Sequence, residues 1–379
     1  MLRSGDGRRA TVRDVDLPYL TAEIPGTGGV LRASEDDFFV DEEPAYLPAG
    51  SGDHVFVRIE KRGLTSRHAA GAIARALGIG ERDIGIAGLK DRHAVTRQWL
   101  SLPPPVTPEA ARALALPGIT VLEAARHPHK LRTGHVRANR FRLRVRGVEA
   151  GAAERAREIL ARLAEAPGAP NWYGEQRFGR EGDNAARGRA LVTGAAEGRK
   201  LLRDKRLARL LVSALQSELF NAWLRARIED GLYRRVLGGD LLHKRGGGMF
   251  TCEDAPTDEL RLLAGELCVT GPMFGDRMRR PPEGSAAAER EAQILAAAEL
   301  APDAFARVRA IAEGTRRDAS IEVIDPRVTS GAEAGLEPST LEVAFTLPGG
   351  AYATAVMREV MKSAGTSAPE RVDEPPEAA

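Results

Sequence analysis

One acid stands among cations in the stretch Gly85-Ile86-Ala87-Gly88-Leu89-Lys90-Asp91-Arg92-His93-Ala94-Val95-Thr96-Arg97-Gln98-Trp99-Leu100-Ser101. Asp91 lies between Lys90 and Arg92, with His93 next. A carboxylate in such company keeps its negative charge and, at the rim of a sheet, can face a substrate. The bland alternative is a salt bridge within a loop. Ile84, Ile86 and Leu89 lead into the polar stretch, and Val95, Trp99 and Leu100 leave it. Apolar runs on both sides of a short polar segment predict two strands joined by a turn, with Asp91 at the rim of a sheet.

Other residues could serve such a site. Val30-Leu31-Arg32-Ala33-Ser34-Glu35-Asp36-Asp37-Phe38-Phe39-Val40-Asp41-Glu42 reads as a strand, an acidic turn and a strand. Arg32 and Phe38 read as a surface charge and a core ring. An arginine gives a carboxylate a permanent, bidentate partner. Residues 126–146 hold eight Lys or Arg and no acid. Within them Arg140, Arg142, Arg144 and Arg146 alternate with Phe141, Leu143 and Val145. Period two places the four guanidiniums on one face of a strand, where a phosphate backbone is their natural partner. Acids elsewhere on the sheet are the alternative. Phe141, on the apolar face of that strand, fits the core.

The elements that position these residues follow from patterning. Residues 54–60 alternate as a strand. Thr65 or Ser66 caps a helix through Leu77, with Gly78 beyond its end. Residues 103–108 are a proline-rich linker, and 151–166 form a helix that stops at Pro167. Asn171-Trp172-Tyr173-Gly174-Glu175-Gln176-Arg177-Phe178-Gly179-Arg180 packs aromatics, amides and arginines into a glycine-broken loop. It suits stacking on RNA or plugging a domain junction. Arg199, Lys200, Arg203, Lys205, Arg206 and Arg209 then lead into a long helix with a buried stripe from Leu207 to Leu224. That basic entry is either a second RNA surface or a solvated helix end. Residues 341–347 form a strand, and Pro348-Gly349-Gly350 turns into a helix over 353–361. Residues 1–20 are expected to be a mobile start. The Ser-, Pro- and Glu-rich residues 363–379 are expected to be a disordered tail.

Composition sets the class. With 379 residues, 43% hydrophobic and 28% charged, the chain can build one large or two medium cores. The formal charge of +2 says little about nucleic acid; only its distribution does. Two cysteines, Cys252 and Cys268, read as reduced thiols rather than a disulfide framework. The first residues lack the apolar run of a signal peptide, and no stretch approaches the roughly 20 apolar residues of a membrane span. A soluble cytoplasmic protein is expected. Pro25-Gly26-Thr27-Gly28-Gly29 lacks the Gly-Lys-Ser/Thr ending of a phosphate-binding loop. His127, His129 and His135 stand among cations without acids or cysteines, a poor metal site. No cofactor and no metal are expected.

Gly88-Leu89-Lys90-Asp91-Arg92-His93-Ala94-Val95-Thr96-Arg97-Gln98-Trp99-Leu100 resembles the catalytic motif of the TruD family of tRNA pseudouridine synthases, in which this aspartate is the nucleophile. Four further strings match in the family's order. They are the Arg32 to Phe38 string, where the family usually shows Lys at the place of Arg32; Asn139-Arg140-Phe141; the Asn171 string; and Leu347-Pro348-Gly349-Gly350 with Arg358-Glu359. The resemblance implies an α+β chain: a pseudouridine-synthase-like catalytic domain with a twisted, mostly antiparallel sheet flanked by helices, over 1–182 and 322–362, and an inserted α+β domain over 183–321. It implies isomerisation of uridine to pseudouridine at position 13, in the D-arm region of transfer RNA. Asp91 is then the nucleophile and Arg32 its partner. Phe141, Asn139, Phe38 and Lys90 receive the base, and Arg140, Arg142, Arg144 and Arg177 grip RNA. Transfer RNA is the expected partner of a monomer, with no membrane and no protein partner. Two readings compete: an RNA-binding protein or chaperone without catalysis, and an aspartate–histidine hydrolase using Asp91 and His93. The latter lacks an evident oxyanion donor.

Overall fold

The structure, a computed structural model, describes residues 17–362. The expected mobile start, up to residue 16, and the expected tail lie outside the described residues. Contacts divide the chain into two compact units. One comprises Glu23–Ala164 and 322–362; the other comprises 17–22 and Glu165–Ile321.

The first unit runs β1 (Val30–Leu31), β2 (Phe38–Pro44), β3 (His54–Arg62), α1 (Ser66–Leu77), β4 (Gly85–Ile86), β5 (Val95–Leu102), α2 (Pro108–Arg112), β6 (Ile119–His127), β7 (Val136–Arg146) and α3 (Ala152–Ala164). The second holds β8 (Ala169–Pro170), α4 (Asn184–Thr193), α5 (Ala196–Leu201), α6 (Lys205–Glu229), β9 (Leu241–Lys244), β10 (Met249–Thr251), α7 (Ala255–Leu263), β11 (Leu267–Met273), α8 (Ala286–Ala297), β12 (Thr315–Asp318) and β13 (Ser320–Ile321). The chain then returns to the first unit with β14 (Ile324–Ser330), β15 (Thr340–Pro348) and α9 (Ala353–Met361).

The first unit is built on a nine-stranded sheet in the order β14-β15-β7-β2-β5-β3-β6, with β1 on β7 and β4 on β5. Every pair is antiparallel except β2–β5. The expected α+β architecture with a mostly antiparallel sheet is therefore present. Alternation explains its two faces. Val55, Val57 and Ile59 of β3 join Leu100 and Leu102 of β5 beneath Ala69, Ala70 and Ile73 of α1. That helix begins where the Thr65 hydroxyl accepts the His68 N–H. It ends where Gly78 adopts a φ of 67°, a conformation glycine reaches without steric cost. The strand β15, from the last part of the chain, lies against β7, pairing Phe345 with Phe141 and Leu347 with Asn139. Early and late segments meet in one sheet because everything between α3 and β14 folds as the other unit.

The second unit packs around α6, whose Leu211, Leu215, Leu219, Phe220 and Trp223 are buried. Its sheet runs β10-β9-β11-β12, and β13 pairs with β8. Residues 165–182, assigned above to the catalytic domain, pack here. Trp172, Tyr173 and Phe178 enter the same core as the α6 stripe. No helix among the described residues is long and apolar enough to cross a membrane.

Candidate active site

Asp91 sits between β4 and β5, which pair as antiparallel strands. Its side chain is 48% exposed, whereas that of Arg32 is 6% exposed. Arg32 Nη2 donates to Asp91 Oδ2 at 3.0 Å. Arg32 follows β1 in the left-handed region, with a φ of 64°. For a residue with a Cβ this costs about 1–2 kcal/mol, and such strain collects at functional sites. The guanidinium lies 4.0 Å from the centroid of the Phe38 ring. Phe38 meets Phe141 edge-on at 6.3 Å, and Phe141 lies 5.5 Å from Phe345. The carboxylate thus faces outward from a nearly buried cation, itself seated on a run of three rings.

Strand register explains the grouping. Val40 pairs with both Thr96 and Phe141, so Thr96, Val40, Phe141 and Phe345 form one cross-strand row. Asn139 pairs with Glu42 and Leu347 in another row of the same sheet. The Asn139 Oδ1, Thr96 Oγ1 and Gln98 Nε2 atoms are buried and have no hydrogen-bond partner among the described residues. A buried polar atom left unanswered costs free energy.

Lys90 is placed differently from its expected contact with substrate. Its ammonium pairs with the Glu42 carboxylate, and the two side chains are 8% and 0% exposed. The second Glu42 oxygen accepts the Trp99 N–H at 3.1 Å. Below the same loop, Lys61 donates to the carbonyls of Asp91 at 2.8 Å, Lys90 at 3.5 Å and Leu64. Burial pulls the Lys61 ammonium down to about 7; the Asp91 and Glu35 charges oppose that drop and Lys90 adds to it. The Lys90 N–H donates to Ser66 Oγ at 2.8 Å, and Ser66 donates to Gln98 Oε1 at 2.7 Å. Glu42, Lys61, Ser66, Thr96 and Gln98 are not among the site residues the sequence singles out. A usable signal existed: Lys61 continues Val55, Val57, Ile59, and Glu42 continues Phe38, Val40, each a charge on an apolar face.

The arginine stripe of β7 is largely answered within the sheet. Arg140 and Arg137 meet Glu43, Arg144 meets Glu342 at 2.9 Å, and Arg146 meets Asp37 at 2.7 Å. Arg142 lies 4.8 Å from the centroid of Phe39 and has no carboxylate at ion-pair distance among the described residues. Of the three histidines, His127 and His135 pack against Tyr46 and His129 is exposed. Tyr46 stacks on His127 at 5.1 Å, and its hydroxyl lies 2.7 Å from His135 Nδ1.

In the second unit, Arg177 donates to Ser217 at 3.1 Å and also to Ser213, and it stands 5.2 Å from the Tyr173 ring. The entry to α6 is different. Lys200, Arg203, Lys205, Arg206 and Arg209 are all exposed, and none has an acid at ion-pair distance among the described residues. The acid within the run, Asp204, accepts the N–H groups of Arg206 and Leu207 as the helix cap.

The family model of tRNA pseudouridine synthase D (TruD) matches residues 14–202 and 199–360. The chain belongs to the TruD family. A tRNA pseudouridine synthase D from Anaeromyxobacter dehalogenans strain 2CP-1 is 53% identical over 352 residues, spanning 92% of this chain and 97% of its own. One from Thermus thermophilus is 41% identical over 348 residues, spanning 91% of this chain and 92% of its own. A TruD crystal structure from Methanosarcina mazei superposes with a TM-score of 0.75 at 23% identity. It covers 91% of this chain and 96% of that one, a likeness of fold. Both TruD stretches together take in every residue of the Arg32–Asp91 site.

Proposed function

We propose that this chain isomerises uridine to pseudouridine in transfer RNA, with Asp91 as the nucleophile and position 13 of the D-arm region as the target. The bond between C1′ and N1 breaks, the base turns, and a bond forms between C1′ and C5. The proton leaves C5 and N1 gains one, so no oxidant, reductant or group carrier enters. Asp91 attacks the sugar or the base. Arg32 orients its carboxylate. The flipped uracil stacks on Phe141, Asn139 Oδ1 accepts an N–H from its edge, and Phe38 backs the wall. The exposed cations, Arg142 and the α6 entry foremost, meet phosphates. We place the protein in the cytoplasm, acting on RNA as a monomer.

The observation that carries this reading is the Arg32–Asp91 pair: a half-exposed carboxylate on a nearly buried guanidinium, above the Phe38–Phe141–Phe345 rings. The test is to incubate the protein with unmodified transfer RNA and map pseudouridine by reverse-transcription stops after carbodiimide treatment. A stop at position 13 is expected. A stop elsewhere revises the target, and no stop on any RNA removes the enzyme reading in favour of an RNA-binding protein without catalysis.

A further inference from the structure

Lys61 occupies a core position. It follows Val55, Val57 and Ile59 on the face of β3 that packs under α1, and it is fully buried. An ammonium in such a place is costly unless its N–H groups are answered, and an apolar residue of similar volume is often as stable or more so. The structure answers it with three carbonyls, those of Leu64, Lys90 and Asp91. Its nitrogen has no carboxylate at ion-pair distance among the described residues, so backbone oxygens are what it holds.

Ser66 acts from the other side. Its hydroxyl accepts the Lys90 N–H at 2.8 Å and donates to Gln98 at 2.7 Å. Gln98 is buried on β5 opposite Ile59 of β3. The backbone of residues 90 and 91 is therefore gripped at an N–H by a hydroxyl and at its carbonyls by an amine. Both holders are rooted in the sheet and the start of α1.

We propose, resting on the reading of Asp91 as nucleophile, that Lys61 and Ser66 are positioning residues that fix the backbone at residues 90 and 91 and so aim the Asp91 carboxylate. An aspartate side chain has two torsions, and beyond Arg32 this one is open to solvent. Its reach is set mainly by where its backbone stands. A displacement of about 1 Å in a reacting group is enough to cost on the order of 100-fold in rate. Near neutrality Lys61 sits close to its midpoint, about 7. The neutral amine still donates two hydrogen bonds, enough for Leu64 and Asp91, and gives up the longer contact to Lys90. The hold on Asp91 thus survives in both forms.

The test uses the full chain and an unmodified transfer RNA transcript, with kcat and KM measured for Lys61→Met, Ser66→Ala and the double variant. Lys61→Met is expected to lower kcat about 100-fold and Ser66→Ala about 10-fold, with KM within about two-fold of wild type. The double variant is expected to fall little below Lys61→Met, because both residues grip the same backbone. Unchanged kcat per folded molecule, with only a lower unfolding temperature, overturns the proposal. So does a raised KM with unchanged kcat. If Lys61→Met does not fold, Ser66→Ala decides alone: its hydroxyl is small, and wild-type kcat in that variant overturns the shared role. A wild-type chain that yields no pseudouridine strikes the functional reading itself. An active wild type with equally active variants strikes this one.

Discussion

Arg32 and Asp91, 59 residues apart in the chain, meet at 3.0 Å with the cation nearly buried and the acid half exposed. A half-exposed pair of this kind adds little stability, and under the proposed function its buried cation orients the carboxylate for attack. Arg32→Ala is expected to lower the single-turnover rate by about 100- to 1000-fold, the range for removing one stabilising hydrogen-bond donor from an active site. Arg32→Lys should recover much of that loss, since it restores the charge while giving up the flat contact with Phe38. An alanine variant with wild-type rate would show that the pair is only a surface ion pair.

The exposed cations are not equivalent. Those at the α6 entry have no acid at ion-pair distance among the described residues, whereas Arg144 is held by Glu342. Replacing Lys200, Arg203 and Arg206 by Gln should weaken RNA binding and flatten its salt dependence. The log–log slope should fall by about 0.7–0.9 for each phosphate that is no longer neutralised. The kcat at saturating RNA should stay the same. Arg144→Gln should change the slope much less. Equal slopes in all variants would show that the α6 entry does not meet phosphate.

Burial of Lys61 couples stability to pH. Its folded value, about 7, lies below the 10.5 of a free lysine. Between those values the unfolded chain binds a proton that the folded chain has released, so stability from this group rises with pH across that window. The penalty is fully present below it. Denaturant midpoints of wild type and Lys61→Met, compared at pH values near each end, should show a rise with pH in wild type beyond that of the variant. Parallel pH dependences would contradict this.

Both thiols are shielded. Burial, with help from Asp258, pushes Cys252 up to about 12, and burial pushes Cys268 up to about 11. Thiolate is the reactive form. A disulfide reagent at neutral pH should therefore leave both unmodified in the native protein and label both after denaturation. Rapid labelling of the native chain would show that one of these segments opens.

Much of this is legible in the sequence, and the limits are physical. The strands flanking Asp91 and Arg32 follow from apolar runs beside polar turns and that of Phe141 from alternation, and the motif strings point to the family. The fate of the β7 arginines is not legible. Period two puts them on one face, but only register brings Glu342 opposite Arg144 and shows how far acids balance them. Lys61 shows in the sequence only as a charge on an apolar face, and Ser66 and Gln98 not at all, because their partners are backbone atoms or residues on other elements, which no local pattern reveals. The Asn171 string looks like part of the catalytic unit because its motif accompanies the others. Its aromatics are buried with α6, and that preference shows only once the core is assembled.

The central claim is that the Asp91 carboxylate does covalent work. The most direct measurement is a single-turnover assay of Asp91→Asn and Asp91→Ala on unmodified transfer RNA, with RNA affinity measured alongside. The account predicts no detectable pseudouridine from either variant, with affinity within about three-fold of wild type, since a transition-state contact is removed and phosphate contacts remain. Pseudouridine formed at the wild-type rate by either variant would contradict it.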